Sequence, residues 1–205
     1  MLATRSDGTL DPRFAATGIS TSNFSASDDE CRDIAYDGAR LVATGRDGNS
    51  VTIVHLGLDG TVGDRLTMMT GTGTGLALAR DGAQIVVAEV GSGPAGYVMR
   101  FSGGALDPAF GVAGVVSTPR DMFSDVALDA AGRIVAIGRR DRMRPLIRRF
   151  LADGSDDPSF ADAGVFELPI AGDLYTVAID PRGRIVAGGY DDSGPRATPL
   201  VLRLR

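Results

Sequence analysis

The sequence contains no lysine and no tryptophan, and it has one cysteine, Cys31, and one histidine, His55. A single cysteine excludes an internal disulfide and leaves the redox compartment unread. One histidine and one cysteine, well apart in the chain, exclude a zinc or iron centre built on imidazole and thiolate ligands, and they argue against a Cys-His nucleophile pair. No apolar run approaches 18 residues, so no membrane-spanning helix is read and no membrane insertion is expected. All 21 basic residues are arginines; set against 26 acidic residues they leave a net charge of −5. A field of that sign disfavours nucleic acid as a partner.

What is present in quantity is glycine, 28 residues of 205, together with a 43% apolar content sufficient for a packed core. The sequence repeats itself. Asp125–Gly138 aligns with Thr176–Gly189, Gly75–Ala88 is a further copy, and Ile34–Gly45 is a fourth, one residue tighter before its turn. The turn glycines Gly38, Gly82, Gly132 and Gly183 recur at spacings of 44, 50 and 51. A second anchor recurs in phase with the first: Asp7–Phe14, Gly103–Phe110 and Asp153–Phe160 share an Asp-Pro-x-Phe element, whereas Asp59–Gly63 keeps only its turn. Two independent anchors at one period indicate four structural repeats.

Each repeat consists of short apolar runs bounded by Gly, Pro and Asp, which is strand and turn chemistry, and no segment sustains helical spacing. In the third repeat, Val126–Leu128 and Arg133–Ile137 form a hairpin, Pro145–Phe150 is a further strand, and Gly114–Ser117 precedes them as a fourth. The second hairpin strand is apolar at consecutive positions, as in Ile134-Val135-Ala136-Ile137, which predicts burial on both faces. The expected fold is therefore all-β: a β-propeller of four four-stranded blades, over approximately 19–57, 58–102, 103–151 and 152–205, in a single unit. The N-terminal strand Gly18–Ser22 is expected to complete the last blade by pairing with Pro199–Arg203. This would close a four-bladed ring within one chain, or an eight-bladed ring by self-association of two.

The order Asp-Gly-(Thr/Ser)-x-Asp-Pro-x-Phe, an apolar strand, an Ala-(Leu/Ile)-Asp-x-x-Gly-Arg-Ile-Val-Ala hairpin and a strand ending in Arg-Phe resembles the delta-60 repeat family of large bacterial proteins. Phe14, Phe110 and Phe160 fill the aromatic slot, which the second repeat lacks. The resemblance implies propeller blades, a non-enzymatic binding or scaffolding role and a secreted or cell-surface setting. It supplies no catalytic residues. The N-terminus, Met1–Asp7, has neither the charge nor the apolar stretch of a signal peptide.

Candidate sites are few, and no catalytic residue, metal ligand or cofactor is assigned. Gly91-Ser92-Gly93-Pro94-Ala95-Gly96 fits a phosphate-loop pattern, but a strand rather than a helix is expected after it, so it reads as a hairpin loop. His55 holds the slot of Arg100, Arg149 and Arg203, a structural position. The acidic turns at Asp7, Asp11, Asp153, Asp156 and Asp157 suit either Asx turns or calcium ligation. The most individual segment carries Arg139, Arg140, Arg142 and Arg144, whose guanidinium forks suit an anionic ligand, a glycan or a protein partner; the bland alternative is a solvated, carboxylate-paired loop. A metal-dependent hydrolase of lactonase type is the competing reading, by fold analogy.

Overall fold

A computed structural model describes residues 1–79, 81–89, 95–141 and 143–204. The apolar runs form strands and the Gly- and Asp-rich segments form their turns. The first sheet is β1 (Asp29–Tyr36), β2 (Leu41–Asp47), β3 (Ser50–Leu56) and β4 (Val62–Thr70). The second contains β5 (Thr72–Leu78), β6 (Gln84–Glu89), β7 (Ala95–Ser102), the short β8 (Ala105–Leu106) and β9 (Val115–Pro119), which also pairs with β7. The third is β10 (Asp121–Leu128), β11 (Ile134–Arg140), β12 (Arg144–Phe150) and β13 (Val165–Glu167). The fourth has three strands, β14 (Gly172–Ile179), β15 (Ile185–Asp191) and β16 (Thr198–Leu204). The protein is thus all-β, with four antiparallel sheets and no helix among the described residues.

The repeats and the sheets are out of phase. The sheets span 29–70, 72–119, 121–167 and 172–204, because each Asp-Pro-x-Phe corner sends its following strand back onto the third strand before it. Thus β9 pairs with β7 and β13 with β12. The corner itself is an Asx turn: the Asp157 carboxylate accepts from Ser159 N at 2.9 Å, while Phe160 N donates to Asp157 O at 3.1 Å. Asp11 and Asp107 are bonded in the same way. The turns at Asp7, Asp11, Asp153 and Asp157 therefore hold their own backbone, whereas Asp156 pairs with Arg148. The Arg13 guanidinium beside Asp11 also lowers that carboxyl to about 2.

In the second and third sheets the second hairpin strand is buried on both faces, as with Ile85-Val86-Val87-Ala88 and Ile134-Val135-Ala136-Ile137, because each of these sheets is packed between two neighbours, whereas Val186 of β15 is only partly buried. Val42, Val51 and Ile53 of the first sheet meet Leu76, Val86 and Met99 of the second. Ile85, Val87 and Val98 then meet Phe123, Leu146 and Phe150 of the third. Val135, Ile137 and Ile147 meet Leu174, Ile185 and Ala187 of the fourth. Among the described residues no core cluster joins the fourth sheet to the first.

The expected intrachain pairing of Gly18–Ser22 with Pro199–Arg203 is not formed. Ala3 N donates to Gly18 O at 2.8 Å, Leu2 bridges Ile19, and Met1 and Ser20 exchange backbone bonds at 2.8 and 2.9 Å. Met1–Thr4 occupies the third-strand place beside this segment, and β16 pairs only with β15 among the described residues. The apolar run Met1-Leu2-Ala3 is too short to signal a strand, so the sequence does not reveal this competitor.

Candidate functional site

The first strand of each of the four sheets carries a β-bulge at the same place. The pairing register shifts between Cys31 and Asp33, Gly73 and Gly75, Phe123 and Asp125, and Leu174 and Thr176. The unpaired residues are therefore Arg32, Thr74, Ser124 and Tyr175, one from each sheet. Opposite three of these bulges the second strand has a glycine, Gly45, Gly138 or Gly189, whose added Cβ would overlap the backbone of the first strand. A bulge re-aims the side chain it releases. All four released residues line one cleft of about 460 Å³, together with Asp33, Glu89, Asp125, Arg139 and Asp173.

The carboxylates beside the bulges tie sheet to sheet. Asp33 accepts from Ile34 N and, across the interface, from Leu76 N of the second sheet, both at 2.7 Å. Asp125 accepts from Val126 N at 2.7 Å and from Val177 N of the fourth sheet at 2.8 Å. Between the second and third sheets, Thr74 Oγ1 donates to Phe123 O at 2.6 Å. Burial pushes the Asp125 carboxyl up, the two backbone donors oppose that, and the Asp33 charge adds to it. Asp173 is fully buried, and burial raises it too, against the pull of its ion pair with Arg139. Tyr175 is 57% exposed, with its ring 5.5 Å from that of Tyr190.

The chain matches no protein-family model and no curated protein.

The arginine segment does not converge on one site. Arg139 and Arg140 are neighbours on β11 and so face opposite sides of the sheet. Arg139 enters the cleft and pairs with Asp173. Arg140, on the other face, pairs with the buried Asp121, at 2.7 Å, and with Glu167, at 3.3 Å. Arg144 also pairs with Glu167, and Arg142 lies outside the described residues. The cleft lining has four acidic residues and two arginines, an unfavourable balance for an anion. Among the described residues no group of three or more His, Cys, Asp or Glu is placed to hold a metal ion.

His55 is buried, and its Nε2 accepts from the Gln84 side-chain amide at 2.7 Å. Burial lowers its pKa, as expected of a structural imidazole. Cys31 is exposed. Of the glycine-rich loop, Gly91–Pro94 lies outside the described residues, and β7 begins at Ala95 as a strand. The bulge residues are the site that sequence reasoning missed. Their one signal was a varied position, Arg32, Thr74, Ser124 or Tyr175, two residues ahead of each apolar repeat segment.

Proposed function

We propose that this chain is a non-enzymatic repeat module of β-propeller type, related to the delta-60 repeats, that binds a neutral, hydroxyl-rich ligand such as a glycan on a rigid scaffold. The observation that carries the reading is the set of four equivalent bulges, which deliver four different side chains into one cleft from a constant backbone frame. A tyrosine face suits the C–H side of a sugar ring. Hydroxyl, carboxylate and guanidinium groups around it suit the ring's hydroxyls. Asp33, Asp125 and Thr74 serve as braces between sheets, so binding is assigned to Arg32, Ser124 and Tyr175.

Glycan-array screening of the 205-residue chain, followed by calorimetric titration of the strongest hit, tests this. Tyr175→Ala is expected to weaken binding about tenfold or more, and Arg144→Ala to leave it unchanged. Retained binding in Tyr175→Ala with loss in Arg144→Ala would move the site to the loop of the third sheet. Turnover of lactones that needs a divalent metal and stops on chelation would favour the hydrolase reading instead.

A further inference from the structure

Residues 1–20 reproduce the outer half of a sheet. The bond from Ala3 N to Gly18 O (2.8 Å) repeats those from Arg100 N to Gly114 O (3.1 Å) and from Arg149 N to Gly164 O (2.8 Å). The bond from Asp11 N to Ala3 O repeats those from Asp107 N to Arg100 O and from Asp157 N to Arg149 O. The Leu2–Ile19 bridge stands where Met99 pairs with Val115 and Arg148 with Val165. The segment also docks on the first sheet as the second sheet docks on the third. Ala15 N donates to Asp59 O as Gly111 N donates to Asp153 O, and the Phe14 ring lies against Gly60 as the Phe110 ring lies against Gly154.

The N-terminal corner and β16 depart from the repeat in complementary ways. In the complete corners a third-strand arginine grips the corner aspartate: Arg100 Nε donates to Asp107 at 2.9 Å, and Arg149 Nε to Asp157 at 2.7 Å, with the Arg149 guanidinium 4.5 Å above the Phe160 ring. At the N-terminal corner this slot holds Ala3, and Asp11 takes the exposed Arg13 instead. On β16 the same slot holds Arg203, exposed and without an ion pair among the described residues. Apolar exposure matches this. Ile34 and Tyr36 are 43% and 56% exposed, whereas their counterparts Leu76, Leu78, Val126 and Leu128 pack into the clusters between sheets. Val201 is 75% exposed where its counterparts Val98 and Ile147 are fully buried.

We propose that the chain pairs with a second copy of itself. β16 of one copy displaces Met1–Thr4 beside Gly18–Ser22 of the other, and the reciprocal exchange makes a closed ring of eight sheets. Arg203 N then donates to the partner's Gly18 O, Leu202 lies opposite the partner's Ile19, and the Arg203 guanidinium joins the partner's Asp11 above the partner's Phe14. A second copy is the fitting occupant for three reasons. The exposed arginine and the aspartate that lacks a strand arginine are complementary. The open apolar faces lie at opposite ends of the row of sheets. Within one chain the N-terminal segment is tied to the first sheet. A head-to-tail contact of this kind closes when two rotations complete the circle.

Sedimentation equilibrium of the full chain should give twice 21.3 kDa. Arg203→Asp should weaken the dimer at least tenfold through like-charge contact with Asp11, and a chain starting at Arg5 should tighten it about tenfold by removing the competing strand. Leu2 and Ile19 form a non-hydrogen-bonded pair, the closer kind across antiparallel strands, so Ile19→Cys with Leu202→Cys in a Cys31→Ser background should form a covalent dimer on oxidation. Neither single variant should do so. A monomer at tens of micromolar, an assembly larger than two copies, a disulfide closed within one chain, or a dimer indifferent to Arg203→Asp would each overturn the proposal.

Discussion

Phe150→Ala is expected to destabilise the chain by about 3–5 kcal/mol, the usual cost of emptying a fully buried aromatic site. Phe150 lies in the cluster shared by the second and third sheets. Its ring meets that of Phe123 edge to face, with centroids 6.4 Å apart and planes at 82°. The Arg148 guanidinium sits 5.2 Å from the same ring, so truncation also removes a contact from the neighbouring charge network. For a chain of this length the loss corresponds to a fall of roughly 6–20 °C in the unfolding midpoint, measurable by calorimetry or circular dichroism. Leu204→Ala provides the control. It occupies the same repeat position in the fourth sheet but is only partly buried, so the expected cost is smaller, about 1–2 kcal/mol. Equal effects at the two positions would mean that the third sheet is not held between two neighbours.

Asp121→Ala is expected to cost about 3 kcal/mol or more, the range for removing one partner from a buried charge cluster. Asp121 is fully buried at the start of β10, where one carboxylate serves two guanidinium groups: Arg140 Nε at 2.7 Å and Arg148 Nη1 at 2.7 Å. Each arginine has a second carboxylate, Glu167 at 3.3 Å and Asp156 at 2.9 Å, so the network bends before it breaks. Without Asp121, the Arg140 and Arg148 guanidinium groups lose the carboxylate they share and keep only Glu167 and Asp156. Arg140→Met combined with Asp121→Ala should recover part of the loss, since it removes one of the two like charges that Asp121 had shared. A double-mutant cycle by denaturant unfolding checks both statements. Additive effects would deny the coupling.

The sequence made the repeated hairpins legible because they rest on short-range chemistry. Asp129 with Arg133 and Asp180 with Arg184 close their own turns, and the apolar runs that follow need burial on both faces. The Asp-Pro-x-Phe corners were legible for the same reason. Less visible was anything set by register. Arg32, Thr74, Ser124 and Tyr175 reach one cleft only because four bulges fall at equivalent places, and a bulge is defined by a partner strand, not by its own residues. The arginine segment was conspicuous as a run, yet strand alternation sends Arg139 and Arg140 to opposite faces. Their carboxylate partners, Asp173 and Asp121, lie 34 and 19 residues away. Met1–Thr4 is not legible as a strand because its place is fixed by hydrogen bonds to Gly18 and Ser20, not by a pattern of its own.

Native-state amide hydrogen exchange tests the central claim, that the sheets share their cores in sequence and stand as one body. The account predicts that amides of β2, β6 and β11 within Val42–Thr44, Ile85–Ala88 and Ile134–Ile137 exchange only through global unfolding, all with the same free energy. Three separate exchange levels, one for each sheet, would contradict it.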